Sequence, residues 1–316
     1  MLKINHLRQS FFRYSCMCIV SIALFCSCST SKPVIGEDLS VVEEWEHLYN
    51  GTNLYGWDIK FAGEILNANY KNTFLPMDGF IRIQYNEYSS FDDKYAHLYY
   101  FKQFSHYKLK FDYRFYGEQA LGAVSWNERN SGVMFHAQSA NSNDYDQQFP
   151  VSVEMQLLGG LSDGKERHTG NMCSPGTNIE IDGKIVEAHC IPSTSKTYDG
   201  DGWVSAELIV LGDKHVYHII EGDTVLHYSN LQLDDNFVSQ EKDDWSKFGV
   251  YTDVWKKKNG QSLKSGYIAL QAESHPIDFK GLQLLNLKGC MDKNALNYKS
   301  YYLEEDNKTC VYSSTN

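Results

Sequence analysis

The chain has 316 residues and a formal net charge of −11, and its 22 Tyr, 16 Phe and 6 Trp stand against only 6 Pro and 23 Gly. That length suffices for one large or two medium cores, and the low Pro and Gly content excludes a disordered or fibrous chain. The acidic balance argues against nucleic acid as a partner, because phosphate binding needs a basic face.

The first residues read as a targeting segment. Lys3, Arg8 and Arg13 precede a short apolar run from Cys16 to Phe25. That run falls short of the roughly 20 apolar residues a bilayer span needs and has the length of a signal-peptide core. Phe25-Cys26-Ser27-Cys28-Ser29 resembles a loose bacterial lipobox with Cys28 as the lipidated residue; a plain secretory signal cleaved nearby is the alternative. The reading is a lipoprotein signal over residues 1–27, then the lipidated cysteine and a tether over 28–44. Removing residues 1–27 takes away three positive charges and no negative ones, which moves the net charge to −14. Ser29-Thr30-Ser31-Lys32 lacks the acidic run of a surface-export signal. The expected place is therefore the bacterial envelope, on the outer membrane facing the periplasm, with surface exposure as the other possibility.

After the tether, strand signals follow one another closely. Glu46 to Trp57 holds a short strand and an Asn-Gly turn. Phe80–Tyr85 and His97–Phe101 alternate, and in Tyr107–Tyr116 the set Leu109, Phe111, Tyr113 and Phe115 opposes Lys108, Lys110, Asp112 and Arg114. Further strands are predicted over 131–138, 151–158, 203–211, 215–220, 224–228, 266–272 and 278–286, with a hairpin turn at Glu221-Gly222-Asp223. Many short strands with turn signals between them predict an all-β sandwich or jelly roll. Residues 159–203 carry few strand signals and read as a long loop insertion, the kind of segment on which sites sit.

Of the eight cysteines, Cys173, Cys190, Cys290 and Cys310 lie beyond the signal and the anchor. An even set in an oxidising envelope predicts disulfides. Three pairings are possible, and closeness in sequence favours Cys173–Cys190 and Cys290–Cys310. Residues 288–316, bounded by the second pair, form a small module too short for a core without the crosslink.

Four stretches together resemble the 3-keto-disaccharide hydrolase family. They are Leu48-Tyr49-Asn50-Gly51-Thr52-Asn53-Leu54-Tyr55-Gly56-Trp57, Asn130-Ser131-Gly132-Val133, Val153-Glu154-Met155-Gln156-Leu157-Leu158, and Gly266 through Phe279. The resemblance covers residues 45–287 and implies a concanavalin A-like jelly roll acting on glycosides already oxidised at C3. The tail, from Gly289-Cys290 through Asn297-Tyr298 to Cys310, resembles small modules of Bacteroidetes envelope proteins. A structural role, or docking to other envelope proteins, is its default.

A C3 ketone acidifies the proton on C2, so a base can form an enolate that expels the C1 substituent, and water then adds. A divalent metal, if bound, would stabilise that enolate; no other cofactor is implied. A conventional glycosidase uses two carboxylates, and jelly-roll glucanases resemble Glu-x-Asp-x-x-Glu on one strand. Here that strand reads Glu154-Met155-Gln156-Leu157-Leu158-Gly159, which lacks the second and third acids. The departure favours elimination, or simple carbohydrate binding by a lectin-like lipoprotein, which is the alternative function.

Glu154 is the first candidate for base or metal ligand, against the reading of a solvated strand carboxylate. His136, on the neighbouring strand, and His168, in the long loop, are the further catalytic candidates, since imidazole titrates near neutrality. Gln156, Arg129, Asn130 and Trp126 are candidates for binding sugar hydroxyls or stacking on a ring; Trp57 reads as core. Glu273 and His275, two apart, share one face if the chain is extended there, and with Glu154 and His136 they make up the candidate metal ligands. A turn without chemistry is the competing reading of that pair.

Overall fold

Period-2 alternation sets the two faces of the longest strands. In His106–Phe115 the side chains of Tyr107, Leu109, Phe111, Tyr113 and Phe115 are buried, and those between them lie on the wetter face. The computed structural model describes residues 42–239 and 244–313. The signal segment, Cys28 and most of the tether lie outside these residues. In chain order the strands are β1 (Trp45–His47), β2 (Trp57–Phe61), β3 (Phe74–Met77), β4 (Phe80–Ile83), β5 (Ala96–Tyr100), β6 (His106–Phe115), β7 (Asn130–Ala137), β8 (Val153–Leu158), β9 (Asn171–Cys173) and β10 (Thr177–Ile181). They continue with β11 (Lys184–Ile185), β12 (Cys190–Ile191), β13 (Val204–Leu211), β14 (His215–Ile220), β15 (Asp223–Leu233), β16 (Tyr267–Ala272), β17 (Ile277–Asn286), β18 (Lys288–Gly289) and β19 (Glu304–Glu305).

The larger sheet runs β11-β10-β15-β14-β13-β6-β17-β4-β3, with β1 also paired to β17, and the smaller runs β12-β9-β8-β7-β16-β5-β2. Both are antiparallel throughout. Between them lies one apolar cluster: Leu109 and Phe111 of the larger sheet pack in it with Val133, Phe135, Val153, Met155, Leu157 and Leu270 of the smaller. This is an all-β sandwich of two antiparallel sheets. Among the described residues no helix is long and apolar enough to cross a membrane.

The stretch 159–203 holds more structure than its sequence signals. Gly and Pro punctuate it, yet it carries β9 to β12, with β9 and β12 extending the smaller sheet and β10 and β11 the larger. Both favoured disulfides are present, Cys173–Cys190 and Cys290–Cys310. The first joins directly opposed residues of β9 and β12. Beyond residue 287, β18 and β19 form a small parallel pair. Backbone N–H groups of Leu303 and Glu304 donate to Leu287 O, and Lys299 pairs with Glu44.

Register carries a row of polar side chains across the smaller sheet, on the face turned away from the core. Lys60 opposes His97, and His97 opposes Gln271. Leu270 opposes Val133, which brings Gln271 beside Gly132. Gly132 opposes Gln156, and Gln156 opposes Asn171.

Candidate active site

Gly132 is the low point of that row, and the Glu154 side chain lies across it. A Cβ at position 132 would stand 2.2 Å from Glu154 Oε1 and 2.8 Å from its Cγ and Cδ. Only glycine leaves room for the carboxylate. Val153, Met155 and Leu157 anchor β8 in the core, so strand alternation turns Glu154 and Gln156 the other way.

Glu154 lines a cavity of about 260 Å³ together with Trp126, Asn130, Gln156, Gln271 and Glu273. Phe149, Pro175, Val238 and Phe248 make its apolar wall, and His189 and the Cys173–Cys190 disulfide complete it. Glu154 Oε1, Gln271 Oε1 and Asn130 Oδ1 are buried without a hydrogen-bond partner. Buried acceptors of this kind call for a ligand that donates. Asn171 Nδ2 donates to Gln156 Oε1 at 3.0 Å, which leaves the Gln156 N–H₂ as the end able to donate.

Two carboxyls thus share one small space. Burial pushes Glu154 up to about 8. Burial and the charge of Glu154 hold Glu273 well above the ordinary carboxylate range, with the Arg167 guanidinium opposing them. The charge of either carboxyl disfavours that of the other, so the pair gives up its two protons in separate steps.

This second acid corrects the count read from one strand. Glu273 follows the end of β16, which lies two strands over from Glu154 with β7 between, and register with the turn at Ser274 (φ +84°) brings the two together. The same turn breaks the extended geometry expected of Glu273 and His275. Glu273 faces the cavity, whereas the His275 ring packs edge-on against Phe115 at 5.7 Å with neither nitrogen bonded.

Three other expected residues lie away from the cavity. His136 has φ +46° at a register shift between β7 and β16, and its Nε2 pairs with Gly212 O at the β13–β14 turn of the other sheet, 3.1 Å away. A bulge has re-aimed it. His168 is tied by Nδ1 to Ser195 O, with Nε2 3.8 Å from Glu166. Arg129, also at positive φ, folds over Gly159 and Phe115 and pairs with Gly200 O and Asp201. Trp57 is core, its Nε1 donating to Leu48 O at 2.9 Å, and Trp126 stands 55% exposed at the cavity.

Gln271, His189, Arg167 and Asn171 belong to the site or its support without having been singled out. Polar Gln271 inside the apolar run of β16 was a usable signal; the others depend on loop geometry. For a metal, the oxygens of Glu154, Glu273 and Gln271 suit a hard divalent cation. The imidazoles of His136 and His275 do not join them. Cys173, His189 and Cys190 bring three donor atoms within 4.8 Å of one another, but both sulfurs are spent in the disulfide. A larger cavity of about 780 Å³ lies near the tail, where Lys102 pairs with Glu46 and His106 with Glu304.

No curated protein sequence matches the chain. Among solved structures, a candidate glycosyl hydrolase from Parabacteroides distasonis is 16% identical with a TM-score of 0.44, over 77% of this chain and 100% of its own. A second from the same organism is 20% identical with a TM-score of 0.41, over 77% and 94%. The carbohydrate-binding module CBM66 from Bacillus subtilis is 9% identical with a TM-score of 0.39, over 76% and 100%. One family model, described as the 3-keto-alpha-glucoside-1,2-lyase-like domain, matches residues 44–285, and the chain belongs to that family.

Proposed function

We propose that the protein cleaves glycosides carrying a ketone at C3, by elimination followed by hydration. The observation that carries this reading is the buried pair Glu154 and Glu273 in one cavity, both with raised carboxyls. Removing a proton from carbon asks for a stronger base than an ordinary carboxylate, and a catalytic pKa near the working pH is the most effective. Glu154, up at about 8, meets both demands.

In the proposed course Glu154 takes the C2 proton and the electron pair of that C–H bond moves toward the C3 carbonyl oxygen. The enolate re-forms the ketone as the C1–O bond breaks, leaving a C1–C2 double bond. Glu273, still protonated, gives its proton to the departing oxygen. Water then adds at C1 and gives up a proton to the Glu273 carboxylate, while C2 regains a proton from Glu154 after that carboxyl has exchanged with solvent; both acids return to their starting states and the product is the 3-keto sugar. Gln156 N–H₂ is the neutral donor available to an oxygen that gathers charge. A hard cation held by Glu154, Glu273 and Gln271 would add Lewis-acid stabilisation.

The test is aglycone release from a 3-keto-glucoside and from the unoxidised glucoside, with and without added divalent metal. Release from the first alone is expected, and release from neither removes the catalytic reading in favour of a lectin-like role. We also propose that the chain works in the bacterial envelope, on the outer membrane facing the periplasm, held by a lipid on Cys28. Labelling with a radioactive fatty acid should mark the chain and be lost in Cys28→Ala.

A further inference from the structure

One wall of the cavity that holds Glu154 carries three donor groups for which the proposed reaction has no use. The sulfurs of Cys173 and Cys190 and a ring nitrogen of His189 lie within 4.8 Å of one another, and all three residues line that cavity. We propose that these residues bind a thiophilic divalent cation of the zinc class when the Cys173–Cys190 bond is open. The metal then takes over the crosslink that the disulfide otherwise makes. This stands apart from the catalytic reading, since it needs neither Glu154 nor a substrate.

Two thiolates and an imidazole are ligand types that zinc prefers, and three protein ligands leave its fourth tetrahedral position to water. The carboxyl and carboxamide oxygens of Glu154, Glu273 and Gln271 suit a harder ion. His189 Nδ1 is buried without a hydrogen-bond partner, and a buried polar atom of that kind calls for one.

The three residues are also held together by more than the S–S bond. Cys173 and Cys190 are directly opposed in β9 and β12, with their Cα atoms 4.2 Å apart. The Ser174 backbone N–H donates to His189 O at 3.0 Å, and Ser174 Oγ donates to the same oxygen at 3.2 Å. On a tetrahedral zinc two thiolate sulfurs stand roughly 3.8 Å apart. Side chains of opposed residues reach that separation by rotation, without moving either strand.

Access to the bond is one-sided. Cys173 is buried, whereas Cys190 is open to solvent. A dithiol reductant therefore attacks the Cys190 sulfur, the S–S bond breaks, and Cys173 leaves as the thiolate. The reductant's second thiol then frees Cys190 and the reductant becomes the disulfide, so two electrons and two protons pass to the cysteine pair. The metal displaces one proton from each thiol on binding. A newly made chain holds the same two thiols before the bond has closed.

Cobalt(II) is a suitable probe, because thiolate ligands give it an intense near-ultraviolet charge-transfer absorption that carboxylates do not. Titrated into the purified protein kept in a phosphine reductant, it should develop this absorption and give it up to added zinc. The oxidised protein should show none. His189→Ala should weaken cobalt binding by the reduced protein at least tenfold. Cys173→Ser combined with Cys190→Ser should abolish the absorption, although Cys290 and Cys310 remain. No absorption from the reduced native protein, or absorption undiminished in the double variant, would overturn the site. Unfolding in denaturant gives a second readout. Zinc should raise the midpoint of the reduced native protein and not that of reduced His189→Ala. Thiols of an unfolded chain would bind without regard to His189 and lower the midpoint, which would overturn the site as well. Neither readout involves turnover, so the metal site and the catalytic reading fail separately.

Discussion

Glu154 sits where a side chain at position 132 would otherwise be, and most of its behaviour follows from that placement. Replacing it with Gln keeps the shape and removes the base, so kcat should drop by about 10²–10⁴-fold in a folded variant. In the native protein kcat/KM should rise with pH through about 8, the value to which burial pushes this carboxyl. Stability should move the opposite way. The folded-state value lies above the ordinary 4.5, so the folded protein holds a proton that the unfolded chain has released between those values. The stabilisation is full below about 4.5 and is lost as pH rises through about 8. Thermal melts at pH 6 and pH 9 should show the native protein losing more than Glu154→Gln does. Gly132→Ala sets a Cβ 2.2 Å from the carboxylate, and should cost about 1–3 kcal/mol of stability together with most of the activity. Glu154 and Gln156 were legible in the sequence because Val153, Met155 and Leu157 fix their face. His136 was not, because a positive φ at a bulge reverses strand parity, and no pattern of residue types announces it.

At the scale of elements, the segment 171–191 stands out because it supplies one wall of the site and does so through a crosslink. Cys173 lies directly opposite Glu154 in the sheet, so loosening β12 from β9 also loosens the strand beside the base. The double variant Cys173→Ser, Cys190→Ser should lose about 2–5 kcal/mol of stability by denaturant unfolding. At temperatures where it stays folded, its kcat should fall more than its KM rises, because the catalytic wall shifts. The pairing itself was favoured, among three possible ones, by the closeness of the two cysteines in sequence. The four short strands it staples were not, because segments of two to five residues broken by Gly and Pro give no periodicity, and their partners are distant in sequence. The strands with long clean alternation, β6 and β13 among them, were found close to their true limits.

For the whole molecule, a sandwich core backs the smaller sheet, whose other face carries the cavity of Glu154 and Glu273. Core damage should therefore act on stability before activity. Phe111→Ala, 2% exposed and far from the polar row, should cost about 3–5 kcal/mol and leave kcat of the remaining folded protein near native. The sandwich was legible from many alternating strands. The acid pair was not, because its members are more than a hundred residues apart in sequence and meet only through sheet register. The central claim is that the bond to C1 breaks after the proton on C2 has left. Turnover of a 3-keto-glucoside in D₂O, under conditions where the substrate alone keeps its C2 hydrogen, tests it most directly. The account predicts deuterium at C2 of the 3-keto sugar released, and none in the presence of Glu154→Gln. Aglycone release with the original hydrogen still on C2 would contradict it and point to direct displacement at C1.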